Sequence, residues 1–475
     1  MNGPALLWLR DDLRVHDHEA LIAACQASTT VVAVWIREER ADDEDGPRPL
    51  GAAARWWAHR SLEALRGRLA EFNIPLVFAR GRADDIIPRL AGDLGAAEVH
   101  WHRRYGPRPR ALDARVKAML RTAGVPAHSH PGFTLVEPWE VQPTTGADFY
   151  RVFTPFHRAA RQVPLGDPAG PPAPRPDLPV VELGLLCTLD ELGLLDGTAH
   201  SAGPHLPRWW EDTVQRHWRP GCAAADQALA EIDLGVDGYT TSRDRPADQD
   251  STTRLSPRLR FGELSPRQVV ARVVTSPDLS VEDREAFLRQ LYWREFSWHL
   301  AYWLPGIETE PLRAEFTAFD WEPDEETAEA WRRGRTGIAY VDAGMSQLWQ
   351  SGWMHNRLRM ATASLLIKNL LQPWQTGEQW FWDTLVDADE ANNPVSWQWV
   401  AGSGADAAPY FRIFNPERQA ERFDPDGAYV RRWLPPHWVD EALVDLKKSR
   451  QEALARYQLM RARAAHLGQA SGDDR

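Results

Sequence analysis

The chain has 475 residues, 55 of them Lys or Arg against 67 Asp or Glu, for a net charge of −12. An acidic protein lacks the overall basic footprint of a nucleic-acid binder, so any such face must be local. Cys25, Cys187 and Cys222 lie far apart without metal-ligand spacing, and no apolar run reaches membrane-span length. No metal site and no membrane contact are therefore expected, and the sequence predicts a cytoplasmic monomer with reduced thiols.

Residues 1–130 alternate short apolar runs with helical patterns. Ala5–Leu9, Val31–Ile36, Leu76–Ala79 and Glu98–His102 read as buried strands; Arg55–Phe72 and Arg110–Ala123 read as helices. This alternation predicts a parallel sheet covered by helices, a Rossmann-like α/β unit. Asp17 or His18 is expected to cap the first helix. No strand is followed by a glycine-rich dinucleotide fingerprint. The acidic run Glu38–Asp45 is expected as a solvated loop.

Residues 131–202 read as a linker. Seven prolines fall between positions 164 and 179, which excludes a helix interior or a central strand there. Residues 203–475 read as an all-α domain. Trp209–Ile232, Glu282–Trp303, Glu325–Arg333 and Asp440–Leu467 are its clearest helices.

The chemistry concentrates between Gly352 and Pro416. Met354, Leu358, Ala361 and Leu365 recur at helical steps and form an apolar face. Asn356, Arg359 and Met360 share another face, which is expected to look into a pocket. Asp387 and Asp389 follow, then Asn392, Asn393 and the pair Trp397 and Trp399. Two indoles so spaced beside an asparagine pair suit stacking on a flat ligand, or electron transfer.

Two further segments carry candidate groups. Tyr239–Ser256 is rich in hydroxyls and arginines, suited either to helix capping or to a pyrophosphate. In Phe287–Phe296, Gln290 and Trp293 share a helix face; Trp293 is either a core residue or a platform for a base. Arg254, Arg258, Arg260, Arg357, Arg412, Arg418 and Arg422 are expected to form a local basic face for DNA. Gly402–Ala407 matches a dinucleotide pattern but follows a helix, so it is read as a turn.

These motifs resemble the photolyase/cryptochrome family, nearest the bacterial class I enzymes that repair cyclobutane pyrimidine dimers. The resemblance rests on LLWLRDDLRVHDHEAL, TTRLS, WMHNRLRM, DAD, NN before WQW, and DAAPYFRIFNP, and runs over essentially the whole chain. It implies an antenna-type α/β domain and a helical FAD-binding domain. Tyr239, Thr252, Thr253, Arg254, Leu255 and Ser256 would hold the FAD phosphates. Phe287, Arg294, Arg359, Asp387, Asp389 and Asn393 would complete the cofactor site, with Asp389 accepting from the flavin imide. Trp397, Trp374 and Trp321 would carry electrons to the flavin. Arg243, Gln290, Trp293, Asn356, Arg357, Met360 and Trp399 would meet damaged DNA.

The implied activity is blue-light-driven repair of cyclobutane pyrimidine dimers by electron transfer from reduced FAD. The alternatives are a cryptochrome-like photoreceptor, a photolyase with another lesion preference, or a dark flavin oxidoreductase, for which no nicotinamide site is found. Asn393 favours repair, since plant cryptochromes carry Asp there. Gln290 departs from the usual Glu and puts lesion choice and efficiency in question. Pro109 stands where pterin-binding relatives place an acid, which weakens a folate antenna and leaves a deazaflavin or none.

Overall fold

The computed structural model describes residues 3–38, 46–144, 146–175, 186–196, 213–248, 251–406 and 411–470. Residues 39–45 of the acidic run lie outside this set.

Five parallel strands form one sheet in the order β3-β2-β1-β4-β5: β1 Ala5–Leu9, β2 Val31–Glu38, β3 Leu76–Gly81, β4 Glu98–His102 and β5 Ala127–His130. Helices α1 Glu19–Ala27, α2 Ala52–Ala70, α3 Ala83–Asp93 and α4 Pro107–Thr122 connect them. Every residue of β1 is buried, as expected where both faces of a parallel sheet are covered. α1 is capped by His18, whose Nδ1 accepts from the Leu21 N–H at 3.1 Å. Strand order reverses between β1 and β4, so their carboxyl ends open a crevice suited to a ligand.

The stretch expected as a linker holds a helix, α5 Phe153–Ala160, while residues 164–175 carry neither helix nor strand. The single helix expected over Trp209–Ile232 is instead three short pieces from Val214 onward: Val214–Arg216, Cys222–Ala230 and Ile232–Gly235. Pro220 and Gly221 break it. Gly221 has φ +106°, and a Cβ there would meet the Ala64 Cβ at 2.5 Å. Residues 209–212 lie outside the described set.

The long helices follow their patterns more closely. Val281–Trp303 is capped by Ser280, whose Oγ accepts from the Asp283 N–H. Glu325–Arg332 is capped by Asp324, and Leu446–Ala470 starts later than expected. Asn356–Ser364 runs into a π-helical turn, Leu365–Asn369, ahead of Trp374–Thr384 and Asn392–Ala401. Gly402, at φ +87°, ends the last of these in the left-handed conformation that glycine tolerates. No described helix is long and apolar enough to cross a membrane.

One buried carboxylate ties the sheet domain to the helices. Glu263, 2% exposed, accepts from Trp57 Nε1 and Ser61 Oγ of α2, from the Gly221 N–H and from Arg258 Nη1.

Candidate active site

A cavity of about 530 Å³ opens among three helices. Asn356–Ser364 contributes Asn356, Arg357, Arg359 and Met360; Asn392–Ala401 contributes Asn392, Asn393, Trp397 and Trp399; Val281–Trp303 contributes Gln290 and Trp293. Asn356 with Arg359 and Met360, Arg357 with Met360, Asn393 with Trp397, Asn392 with Trp399, and Gln290 with Trp293 are three, four or seven apart, the spacing of neighbours on a helix face. The Asn356–Ser364 helix is aimed by its N-cap, His355. His355 Nδ1 accepts from the Arg357 N–H, so Nε2 carries the proton and donates to the Arg243 carbonyl at 3.0 Å. Burial holds this imidazole down at about 4.

Arg359 is fixed at three points. Its Nε donates to the Met354 carbonyl at 2.8 Å, and Nη2 donates to both oxygens of Asp387 at 3.1 and 2.8 Å. Ser256 Oγ also donates to Asp387 Oδ2, at 2.6 Å. The Asp387 side chain is 4% exposed, so the pair presents a fixed polar patch on the cavity wall.

Asn393 is held by a residue the sequence did not single out. Its Nδ2 donates to Glu378 Oε1 at 2.7 Å and to the Glu378 carbonyl at 3.2 Å. Glu378 in turn accepts a two-point fork from Arg48, at 2.7 and 3.0 Å. With Nδ2 so engaged, the amide oxygen of Asn393 is left to the cavity.

The indoles divide by burial. Trp397, 3% exposed, packs on the bare backbone of Gly377, where a Cβ would lie 2.1 Å from its Cη2. It also meets Phe381 and Trp331, at centroid distances of 4.9 and 6.2 Å. Trp374 lies buried one turn before Gly377, and the half-buried Trp321 packs on Phe319. Trp399 and Trp293 line the cavity half-buried. Trp293 stacks on Phe153 of α5, a second residue without a signal in the sequence.

Several expected site residues stand elsewhere. The Asp389 carboxylate is spent as a cap, accepting from the Ala391 and Asn392 N–H groups and from Asn392 Nδ2, and is not on the cavity wall. Arg294 turns away to pair with Glu295 and lies over Phe133. Tyr239 and Phe287 pack edge to face in a neighbouring core, 5.5 Å apart. Thr252 and Thr253 lie against Gly235, and Leu255 joins the same core. Arg254, at φ +49°, lies over the Trp353 ring that lines the cavity. Of the TTRLS segment, Ser256 alone lines the cavity, and Arg243 lines it as expected of a DNA contact. The basic face is smaller than expected. Arg258 is buried on Glu263 and Arg260 on Asp11, whereas Arg412, Arg418 and Arg422 are exposed.

A second cavity, about 110 Å³, lies at the carboxyl ends of the strands. Arg10, Arg37, Arg48, Arg55, Arg104 and Arg260 line it with Trp35, Pro109, Asp11, Glu38 and Glu390.

The sequence and fold have close counterparts. A family model described as DNA photolyase matches residues 5–177, and one described as the FAD binding domain of DNA photolyase matches residues 287–438. The deoxyribodipyrimidine photo-lyase of Agrobacterium fabrum is 43% identical over 91% of this chain and 87% of that protein. The chain belongs to the photolyase/cryptochrome family. This family member also resembles the crystal structure of a bacterial class III photolyase from Agrobacterium tumefaciens, with a TM-score of 0.89 and 40% identity over 97% of this chain and 98% of that one. The class I expectation therefore meets a class III neighbour. Cryptochrome-1 of Arabidopsis thaliana is 34% identical over 91% of this chain but 63% of that protein.

Its cofactor is FAD. The large cavity suits one: its volume lies in the range of small-molecule sites. Its walls combine flat aromatic surface with a few fixed polar groups, namely the Arg359–Asp387 pair, Ser256 and the open Asn393 oxygen.

Proposed function

We propose that this protein is a DNA photolyase that uses light to split cyclobutane pyrimidine dimers. The observation that carries this reading is the grading of the cavity by burial. Half-buried Trp293 and Trp399 form its mouth, while buried Asn393 and Trp397, with the buried carboxylate of Asp387, form its floor. A mouth of this kind can take an extruded dimer, with bases stacked on indole faces worth about 1–3 kcal/mol each. Reduced flavin on the floor would supply the electron that opens the cyclobutane ring and would take it back.

The chain's own groups position and tune. Arg359 and Asp387 hold the polar edge of the flavin, and Asn393 offers an acceptor to it. Trp397, with Trp374 and Trp321 behind it, connects the floor toward the surface for reduction of the cofactor. Gln290, Asn356, Arg357, Met360 and Arg243 meet the lesion and its backbone. The arginines of the smaller cavity suit a second, anionic, light-gathering chromophore.

A cryptochrome-like photoreceptor is the second reading. It draws support from Gln290, whose amide donates back to the Ala286 carbonyl at 3.2 Å rather than offering an acid to the lesion. The deciding experiment illuminates a thymine-dimer oligonucleotide with reduced holoprotein. Restoration of intact thymines is expected; none at saturating protein would favour the photoreceptor.

A further inference from the structure

Residues 46–51, just ahead of α2, reach across to the helical domain and touch the flavin cavity at one remove. Arg48 lies on the Trp374–Thr384 helix at two points one turn apart. Its guanidinium stacks over Trp382, 4.0 Å from the ring centroid, and forks onto Glu378. The loop is pinned beside it. Trp382 Nε1 donates to the Pro49 carbonyl at 2.9 Å, and a Cβ on Gly51 would lie 2.0 Å from the Trp382 carbonyl oxygen. Glu378 is 2% exposed and passes the constraint to Asn393.

The chemistry of this chain is directional. A carboxylate only accepts, so both donors of Arg48 and the amide N–H of Asn393 must point at it. The reverse amide orientation would set the Asn393 oxygen against the Glu378 carboxylate, two acceptors face to face. Charge-assisted forks of this kind are the strong, geometrically specific class of hydrogen bond. We infer that Arg48 is a positioning residue which, from the α/β domain and through Glu378, fixes the amide of Asn393 with its oxygen toward the flavin cavity.

This rests on the reading of that cavity as the FAD site. An acceptor there favours the reduced cofactor, which carries a ring N–H that the oxidised form lacks. Without Arg48 the carboxylate loses its anchor, and the amide is free to turn its N–H toward the cavity. Arg48→Gln is expected to shift the equilibrium toward oxidised flavin by about tenfold, ~59 mV lower for a one-electron couple. Arg48→Lys keeps the charge but loses the fork, and is expected to shift it less, in the same direction.

The test is a spectroscopic redox titration of purified holoproteins, with flavin content and melting temperature measured alongside. In a Glu378→Gln background, Arg48→Gln should add nothing, because both act through one contact. A wild-type potential in Arg48→Gln overturns the proposal, as does a shift that simply adds to that of Glu378→Gln. Should Arg48→Gln fail to retain flavin, Arg48→Lys at the wild-type potential overturns it. Wild-type protein without flavin would overturn the cavity reading itself, a separable result.

Discussion

Trp293 lies face to face on Phe153, with ring centroids 3.6 Å apart and planes 5° from parallel. Phe153 is fully buried, so one face of the indole is backed while the residue lines the cavity mouth. Phe153→Leu removes the flat backing and leaves an apolar side chain. We expect the folded protein to lose about 0.5–1.5 kcal/mol, the usual worth of an aromatic pair, and binding of dimer-containing DNA to weaken, with flavin content unchanged. Fluorescence anisotropy on damaged and intact duplexes checks this; equal loss on both would mean that the backing serves general DNA binding.

Trp397→Phe should abolish light-driven reduction of bound oxidised flavin and spare repair by chemically reduced protein. Trp399→Ala should do the opposite, weakening dimer binding and sparing reduction. The first indole is buried against Gly377 and the second stacks on Phe414, 6.1 Å away, at the mouth. Both activities measured in both variants decide it, and the reversed pattern would show the roles exchanged.

Gln290→Glu should raise the repair yield per absorbed photon. The present amide donates to the Ala286 carbonyl and has no acidic proton to offer a radical anion. Affinity should change by less than about 1.4 kcal/mol, the worth of one pKa unit. The yield on a thymine-dimer oligonucleotide, at saturating DNA with fully reduced protein, is the measurement. An equal or lower yield in the variant would sink this account of the position.

Asp387→Asn should lose flavin. It removes the charge that Arg359 faces and an acceptor for Ser256 Oγ. A hydrogen bond to a charged group is worth about 1.5–3 kcal/mol, enough to weaken retention about tenfold or more. Flavin released on denaturation, per mole of protein after gel filtration, reads it. Asp389→Ala should retain flavin but destabilise the start of the Asn392–Ala401 helix, because that carboxylate caps it.

Stability should fall as pH falls from about 6.5 to 4. Burial holds His102 down at about 3 and His100, His130, His299 and His355 at about 4. Unfolded histidine protonates near 6.5, so across this window the unfolded chain binds more protons and gains. Five carboxyls raised by burial among the described residues, Glu137, Glu295, Asp342, Glu390 and Asp406, oppose this. Glu295 is pushed up to about 7 and Glu390 upward, so the folded chain holds their protons below that range. With His59, His157 and His217 also lowered by burial, the histidines outnumber them. The melting temperature at pH 7, 5.5 and 4.5 is the check, and a rise toward pH 4.5 would show that the carboxyls dominate.

The buried strands were legible because they are apolar runs on a sheet covered on both faces; β1 and β4 keep their expected limits. β5 reads AHSH, a half-polar edge strand with no such signature. The Trp209–Ile232 pattern misled because periodicity ignores one Pro-Gly step. The walls of the cavity were legible as helix faces, including Arg359 with Asp387. Asp389 and Arg294 were not, because a neighbour in sequence, Asn392 or Glu295, competes for the same side chain and only packing decides. Arg48 and Glu378 meet across 330 positions, a separation at which no local pattern exists.

Glu263 bears on how such a chain can be inherited. Its four donors come from α2, from Gly221 and from Arg258, so neither half supplies them all. A half grafted onto a foreign partner would inherit either a naked buried anion or stranded donors, at a cost of several kcal/mol. The seam between the sheet domain and the helical domain thus resists recombination. Changes to it must arrive together, as coordinated substitutions on both sides, and not as exchanged modules.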